Sequence, residues 1–222
     1  MDARKYKFAV IAADVVIFTV AEDELKVLLI KMKKKPFNGT WASPGGLVKS
    51  NEPVDVAAKR HLAEKTGVKN VYLEQLYTFG KIDRDPFGRV VSVAYMALIP
   101  MDNIKLKTTE EYEDIKWFDV KKLPHLAYDH KEIIDYAISR LRAKLGYTNI
   151  AHALLPKKFT LGELQKVYET ILARKLDKRN FRKKIVKLSM LKRLREKKLG
   201  IPNRPAELFR FSNRYPQIIE IL

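Results

Sequence analysis

Between Gly46 and Val68 the chain reads GLVKSNEPVDVAAKRHLAEKTGV, and Glu52, Arg60, His61, Glu64 and Lys65 are its side chains suited to ionic or coordination chemistry. On a helix, positions three apart share a face, so His61 and Glu64 suit a softer metal such as zinc or manganese, or else form a partly exposed polar pair. The sequence offers no evident third ligand, and the Lys65 ammonium would repel a nearby ion by about 4 kcal/mol at an effective dielectric of 20. Gly45 and Gly46 let the backbone approach a phosphate or simply turn.

A second group lies in TFGKIDRDPFGRVVSVAY, where Arg84, Asp85 and Arg89 stand between two strand-like runs. Arginine forks suit diphosphate oxygens or ribose hydroxyls, and an Arg-Asp pair equally suits stapling a turn. Phe37, Trp41 and Phe79 are aromatics that would stack a base or fill a core. Asp129 and His130 read as a helix start more than as catalytic groups.

The third group is cationic. Residues 1–150 carry 25 Lys/Arg against 20 Asp/Glu, whereas residues 151–222 carry 19 against 6, so most of the net charge of +18 sits in the C-terminal third. Such an excess suits a polyanion, most simply nucleic acid, because each phosphate contact releases counterions. The alternative is a merely soluble lysine-rich surface. Within KRNFRKKIVKLSML, Arg179, Asn180, Arg182, Lys183 and Lys187 lie off the apolar stripe, and Arg204 stands near the tip of a following hairpin. Arg reads guanine and Asn reads adenine in a major groove, while Lys187 suits a phosphate.

The elements that must position these groups are legible as patterns. FAVIAADVVIFTV and LKVLLIKM, separated by AEDE, read as a hairpin with a buried face. A Gly/Pro/Asn/Ser-rich loop follows. Pro53 then stands where a first helical turn tolerates proline, Val54, Ala57, Ala58 and Leu62 recur at helical spacing, and Gly67 suits the C-terminal cap. VYLEQLYTFG and RVVSVAYMALIP are strand candidates. Asp129 and Glu132 have capping-box spacing ahead of a helix whose buried face is Ile134, Ala137, Ile138, Leu141 and Leu145.

Thr160 and Glu163 form another such box before Leu164, Val167, Tyr168 and Ile171. Asp177 caps a further helix with Phe181, Ile185 and Leu188 buried, and two short strands around a Gly/Pro/Asn turn complete the order helix, helix, basic helix, hairpin. We expect two domains, residues 1–147 and 148–222.

Apolar content of 46% supports two packed cores. The absence of cysteine excludes disulfides, thiolate zinc sites and a cysteine nucleophile. Asp14 interrupts the first apolar run, whose length suits a strand better than a signal peptide, and no segment reaches the roughly 18 apolar residues of a membrane span. A cytoplasmic chain with no membrane contact is expected.

The segment from Gly46 to Val68 resembles the Nudix box, with Gly46, Glu52, Arg60, Leu62, Glu64, Gly67 and Val68 in register. Two departures fall on its acids: Arg-Glu is Arg60-His61 here, and Glu-Glu is Glu64-Lys65. In active members those glutamates bind the divalent cation that activates water, so the resemblance implies a degenerate site with no catalytic residues at His61, Glu64 and Lys65. Segments like RDPFGR occur in Nudix domains that handle ADP-ribose.

The order of the C-terminal elements resembles a winged helix-turn-helix. Together the parts resemble the Nudix-related transcriptional regulators of the NrtR type. That resemblance implies an α/β fold, a Nudix α/β/α sandwich with a mixed sheet, followed by a small winged helix-turn-helix domain. It further implies a homodimer that binds operator DNA and senses ADP-ribose or a related nucleotide or sugar. The expected ligand-binding residues are Gly45, Gly46, Arg60, Glu64, Phe79, Arg84, Asp85 and Arg89. The expected DNA-binding residues are Arg179, Asn180, Arg182, Lys183, Lys187 and Arg204. No metal or other cofactor is required; Mg²⁺ or Mn²⁺ enters only if the chain is instead a hydrolase of ADP-ribose or another nucleoside diphosphate derivative.

Overall fold

A computed structural model describes residues 8–100, 106–198, 205–219 and 221. These fall into two compact units: the chain up to Ala137, apart from Thr19–Lys26 and a short stretch after Ala97, and a second unit holding those pieces and the residues from Ile138 onward. The second domain was expected to begin at residue 148. The unit division falls ten residues earlier, inside one helix.

The first unit is organised by a seven-stranded sheet with the path β3-β2-β1-β6-β5, to which β4 adds against β1 and β7 against β2. The expected hairpin is β1 (Val10–Ala21) and β2 (Glu24–Met32), whose middles are continuously buried, as befits central strands. Glu22 and Asp23 both take positive φ in the intervening turn, the handedness that matches the twist of a two-residue hairpin. Short β3 (Trp41–Ala42) runs antiparallel to β2. β4 (Gly45–Leu47) runs antiparallel to β1, with Asp14 opposite Gly45 and Ala13 opposite Gly46.

Helix α1 (Val54–Thr66) buries Ala57, Ala58 and Leu62 and ends at Gly67, whose φ of 77° places it in the left-handed region favoured by glycine. Pro53 stands one position before the helix, with extended backbone. The expected strands are β5 (Tyr72–Phe79) and β6 (Val90–Leu98). β7 (Tyr112–Asp119) was not anticipated, because its charged residues hide the strand pattern.

Helix α2 (His130–Tyr147) buries the predicted stripe. Its capping box does not form. The Asp129 carboxylate faces Arg84, accepting from its Nε and Nη2, and the Glu132 N–H donates to the Asp129 backbone carbonyl at 2.9 Å instead.

In the second unit a short 3₁₀ turn, Ile150–Ala153, precedes the expected helices. Helix α3 (Leu161–Leu172) has the complete capping box of Thr160 and Glu163 and buries Leu164, Val167, Tyr168 and Ile171. Helix α4 (Lys178–Lys187) starts at Asp177, whose side chain accepts from the Asn180 N–H at 2.7 Å. Phe181 and Ile185 are buried and Leu188 is half-buried.

Strands β8 (Leu191–Lys198) and β9 (Ala206–Phe211) pair antiparallel as the wing. Phe159 and Phe209 exchange backbone hydrogen bonds of 3.0 and 2.7 Å, which tie the wing to the chain before α3. Arg204 lies outside the described residues. No described helix is long and apolar enough to cross a membrane.

Candidate functional site

A cavity of about 500 Å³ opens in the first unit. Its polar lining includes Asp14, Ser43, Lys65, Arg84, Asp85 and Arg89, with Tyr112, Tyr128 and His130. β1 supplies Asp14 from an otherwise apolar run, and β4 brings the backbone of Gly45 and Gly46 against it. A Cβ on Gly45 would stand 2.1 Å from Asp14 Oδ1, so glycine is needed for this close approach. A Cβ on Gly46 would stand 2.7 Å from the His61 ring.

Asp14 is the hub of a buried network. Its Oδ2 accepts from Ser92 Oγ at 2.6 Å and from Arg84 Nη2 at 3.3 Å. Arg84 meanwhile makes a fork onto Asp129, at 2.9 Å from Nε and 2.7 Å from Nη2. Burial alone would lower the Arg84 pKa, but the Asp129 hydrogen bonds and the Asp14 charge outweigh it and raise the value further. The guanidinium is thus permanently charged, and its orientation is set by two carboxylates.

His130 accepts from the Ser43 N–H at Nδ1, 3.0 Å away, which assigns its proton to Nε2, 3.7 Å from Asp14 Oδ1. Burial holds its pKa below the ordinary value. Ser43 Oγ is buried without a protein hydrogen-bond partner.

Lys65 comes from the last turn of α1, and its ammonium donates to the Gly45 carbonyl and the Tyr112 hydroxyl. Burial lowers its pKa, with Glu111 and Asp14 opposing the shift. Burial pushes the Tyr112 hydroxyl up to about 12, so it stays protonated. Arg89 donates from Nη1 to the carbonyls of Gly80 and Lys81, at 2.8 and 3.0 Å, and so shapes the loop beside the cavity. Asp85 Oδ1 accepts from the Phe87 N–H at 2.9 Å, leaving the Phe87 ring exposed at the rim.

Of the residues expected to bind ligand, Gly45, Gly46, Arg84, Asp85 and Arg89 line the cavity, and Arg60, Glu64 and Phe79 do not. Arg60 turns to Glu52, donating from Nε at 2.9 Å and from Nη2 at 2.5 Å. Glu52 also accepts from the Lys49 N–H. Together these bonds hold the Glu52 carboxyl down at about 2, the Arg60 hydrogen bond contributing most. Glu64 is exposed and contacts Arg60 at 3.3 Å. Phe79 is buried edge-on to Tyr77 and Tyr136.

His61 is buried, with Nε2 3.1 Å from the Leu47 carbonyl, and burial followed by the Lys65 charge lowers its pKa. The His61 and Glu64 side chains, one helical turn apart, therefore do not converge: the ring faces β4 and the carboxylate faces solvent. Among the described residues no three His, Cys, Asp or Glu gather to hold a metal ion. The sequence reading missed Asp14, Ser43, Tyr112, Tyr128 and His130 as cavity residues. Asp14 had a usable signal, a charge inside a fully apolar strand.

In the second unit, Arg179, Asn180, Lys183, Lys184 and Lys187 of α4 are exposed. Arg182 is half-buried, and its Nε has no protein partner. The wing adds Lys192, Arg195 and Lys197, all exposed and none singled out from the sequence. Arg193 pairs with Glu207 across the hairpin. The arrangement is an amphipathic helix with a cationic outer face, followed by a cationic hairpin.

Comparison with known proteins agrees with this division. Residues 10–139 match the NUDIX domain, and residues 151–211 match the NrtR DNA-binding winged helix domain. An ADPR responsive transcriptional repressor of Acinetobacter baylyi is 34% identical over 97% of this chain and 89% of its own length. The crystal structure of Shewanella oneidensis NrtR complexed with a 27mer DNA superposes with a TM-score of 0.81 at 34% identity, covering 91% of this chain and 93% of that one. The NUDIX domain of the same Shewanella protein complexed with ADP ribose gives a TM-score of 0.56 at 37% identity, over 64% of this chain and 94% of that one. With a box that keeps its helix but has His61 and Lys65 in place of two acids, and a winged module matched over residues 151–211, this chain belongs to the Nudix-related transcriptional regulators of the NrtR type.

Proposed function

We propose that this chain is an ADP-ribose-responsive transcriptional repressor, in which the Nudix domain senses the ligand and the winged helix domain binds operator DNA. One observation carries the reading: in the cavity, the box position that should offer a metal-binding carboxylate offers the Lys65 ammonium, while Glu64 faces solvent. A hydrolase needs a metal-activated water, and this donor set does not supply the metal. A sensor needs only an enclosed polar cavity coupled to an output.

We place the functional boundary at the end of α2, residues 1–147 sensing and 148–222 binding DNA, ten residues beyond the division into compact units. The cavity takes the effector through Gly45, Gly46, Arg84, Asp85 and Arg89, with ADP-ribose as its leading occupant. Arg179, Asn180 and Lys183 of α4 enter the major groove, Lys187 meets a phosphate, and Arg182 supports the helix from its edge. The chain works as a homodimer in the cytoplasm. Ligand binding shifts the balance between DNA-competent and incompetent arrangements, by a coupling of about 1–3 kcal/mol.

Fluorescence-anisotropy titration of duplex DNA from upstream of its own gene, with random duplex as the control, tests this. The expected result is sequence preference at physiological salt and weaker binding, by about 5- to 150-fold, with saturating ADP-ribose. Equal affinity for both duplexes, or turnover of ADP-ribose in Mg²⁺ that Glu64→Gln abolishes, would overturn it.

A further inference from the structure

The divalent cation that the Nudix fold family employs does not fit these residues, and the misfit has a definite form. Lys65 places its ammonium against the Gly45 carbonyl and the Tyr112 hydroxyl. Those are the oxygen donors that a hard cation entering from this wall of the cavity would need. The ammonium also lies 5.0 Å from the centre of the Tyr112 ring. Both oxygens are thus satisfied by a tethered positive charge, and a second cation in contact with them would meet that charge at close range.

Of the other carboxylates, Asp85 accepts the Phe87 N–H and Glu111 lends its charge to Lys65, and the rest are engaged or turned to solvent. Asp14 accepts from Ser92 and Arg84, and Asp129 takes the Arg84 fork. Glu52 is held by Arg60, and Glu64 is exposed beside it. An ammonium has three N–H donors, and the two protein oxygens use two of them. One donor remains on a side chain that lines the cavity.

We propose that Lys65 is the resident cation of this sensor: its ammonium stands in for the divalent ion and donates to a phosphate oxygen of the nucleoside diphosphate ligand, so that binding requires no metal. The inference rests on the ADP-ribose reading above. It gives a role to a half-buried lysine in the last turn of the box helix, where an unpaired ammonium would be costly. It also separates signal recognition from hydrolysis, because an ammonium balances phosphate charge without generating hydroxide.

Calorimetric titration of the full chain with ADP-ribose, in EDTA and in millimolar Mg²⁺, tests the metal requirement. The expected dissociation constants agree within about twofold, and Lys65→Met weakens binding by about tenfold or more, as loss of a charged hydrogen bond should. Lys65→Arg should recover part of the loss. Binding that tightens tenfold with Mg²⁺, or a folded Lys65→Met protein that binds like the parent, overturns the proposal while leaving the sensor reading intact. Absence of ADP-ribose binding in both buffers overturns the sensor reading and the phosphate contact with it.

An electron-paramagnetic-resonance titration of Mn²⁺ into the ligand-free chain decides the cation question independently of any nucleotide or variant. Mn²⁺ should remain free in solution. Stoichiometric uptake would place a metal where we place the ammonium.

Discussion

The same residue types are used in opposite ways in the two halves of this chain. In the cavity, Arg84 is 7% exposed and forked onto Asp129, Lys65 is bonded to two protein oxygens, and Arg89 holds two backbone carbonyls. On α4, Arg179, Lys183, Lys184 and Lys187 are exposed, and their side chains form no hydrogen bond or ion pair among the described residues. A cation tied to internal acceptors presents few donors in a fixed geometry, which favours one ligand shape. Exposed cations present charge with little geometry, which favours a polyanion and makes binding depend on salt. On the proposed reading, the buried charges fix the shape of a small ligand, and the exposed ones attract the polyanion, with Arg179 adding base contacts.

The comparison can be broken most forcefully at Arg84. Arg84→Ala leaves the Asp14 and Asp129 carboxylates buried without their common partner and should cost about 3–5 kcal/mol, read by urea denaturation of the full chain. A loss under about 1 kcal/mol, the range of an exposed pair, would erase the contrast. Next in size is α4, the helix proposed to enter the groove. Arg179→Ala should cost about 1–3 kcal/mol of discrimination between operator and random duplex, whereas Lys187→Ala should weaken both alike and reduce the salt slope by about one. Half-buried Arg182 should show a stability loss on substitution by alanine that Arg179 does not. Uniform effects of all three on every sequence would remove the distinction between readers and phosphate contacts.

A pH titration sharpens the buried side. Burial lowers the pKa of His61, His130 and His152 in the folded chain. As pH falls, the unfolded chain therefore takes up protons before the folded one. Stability is fully present above the unfolded value of about 6.5 and is lost below it, by at most about 1.4 kcal/mol per pH unit for each histidine. His130→Gln should flatten that acid slope. An unchanged slope would mean that His130 takes up its proton over the same pH range in the folded and unfolded chains. The smallest effect is expected at the α3 cap, where Thr160→Ala should cost about 1 kcal/mol in the same denaturation assay, with no change in the metal dependence of ligand binding.

How much was legible depended on whether a signal was local. The hairpin, α1, α2, α3 and α4 follow from apolar spacing and capping residues, and the Thr160 box formed as spaced. β7 was not legible, since EYEDIKWFD mixes charge into a half-buried edge. Within the box, the helix and its glycine cap were clear, but Arg60 was expected to face ligand and faces Glu52 instead. Helical spacing specifies a face, and only the packing partner says what that face meets. Phe79 illustrates the same limit: its ring packs against Tyr77 and Tyr136, the latter distant in sequence.

From the sequence alone follow a Nudix-like box without its full set of acids, an arginine-bearing loop, and a C-terminal segment that holds most of the net positive charge. These are matters of residue type, spacing and net charge, which need no coordinates. Tertiary structure alone decided that Asp14, Arg84, Asp129 and His130, up to 116 positions apart in the chain, share one buried network. It also decided the meaning of Lys65. Read along the helix, Lys65 repels a metal; once β4 brings Gly45 and β7 brings Tyr112 to it, the ammonium becomes a fixed part of the binding wall. Charge sign is written in the sequence, but whether a charge spoils a site or completes it depends on the acceptors that the fold places within reach.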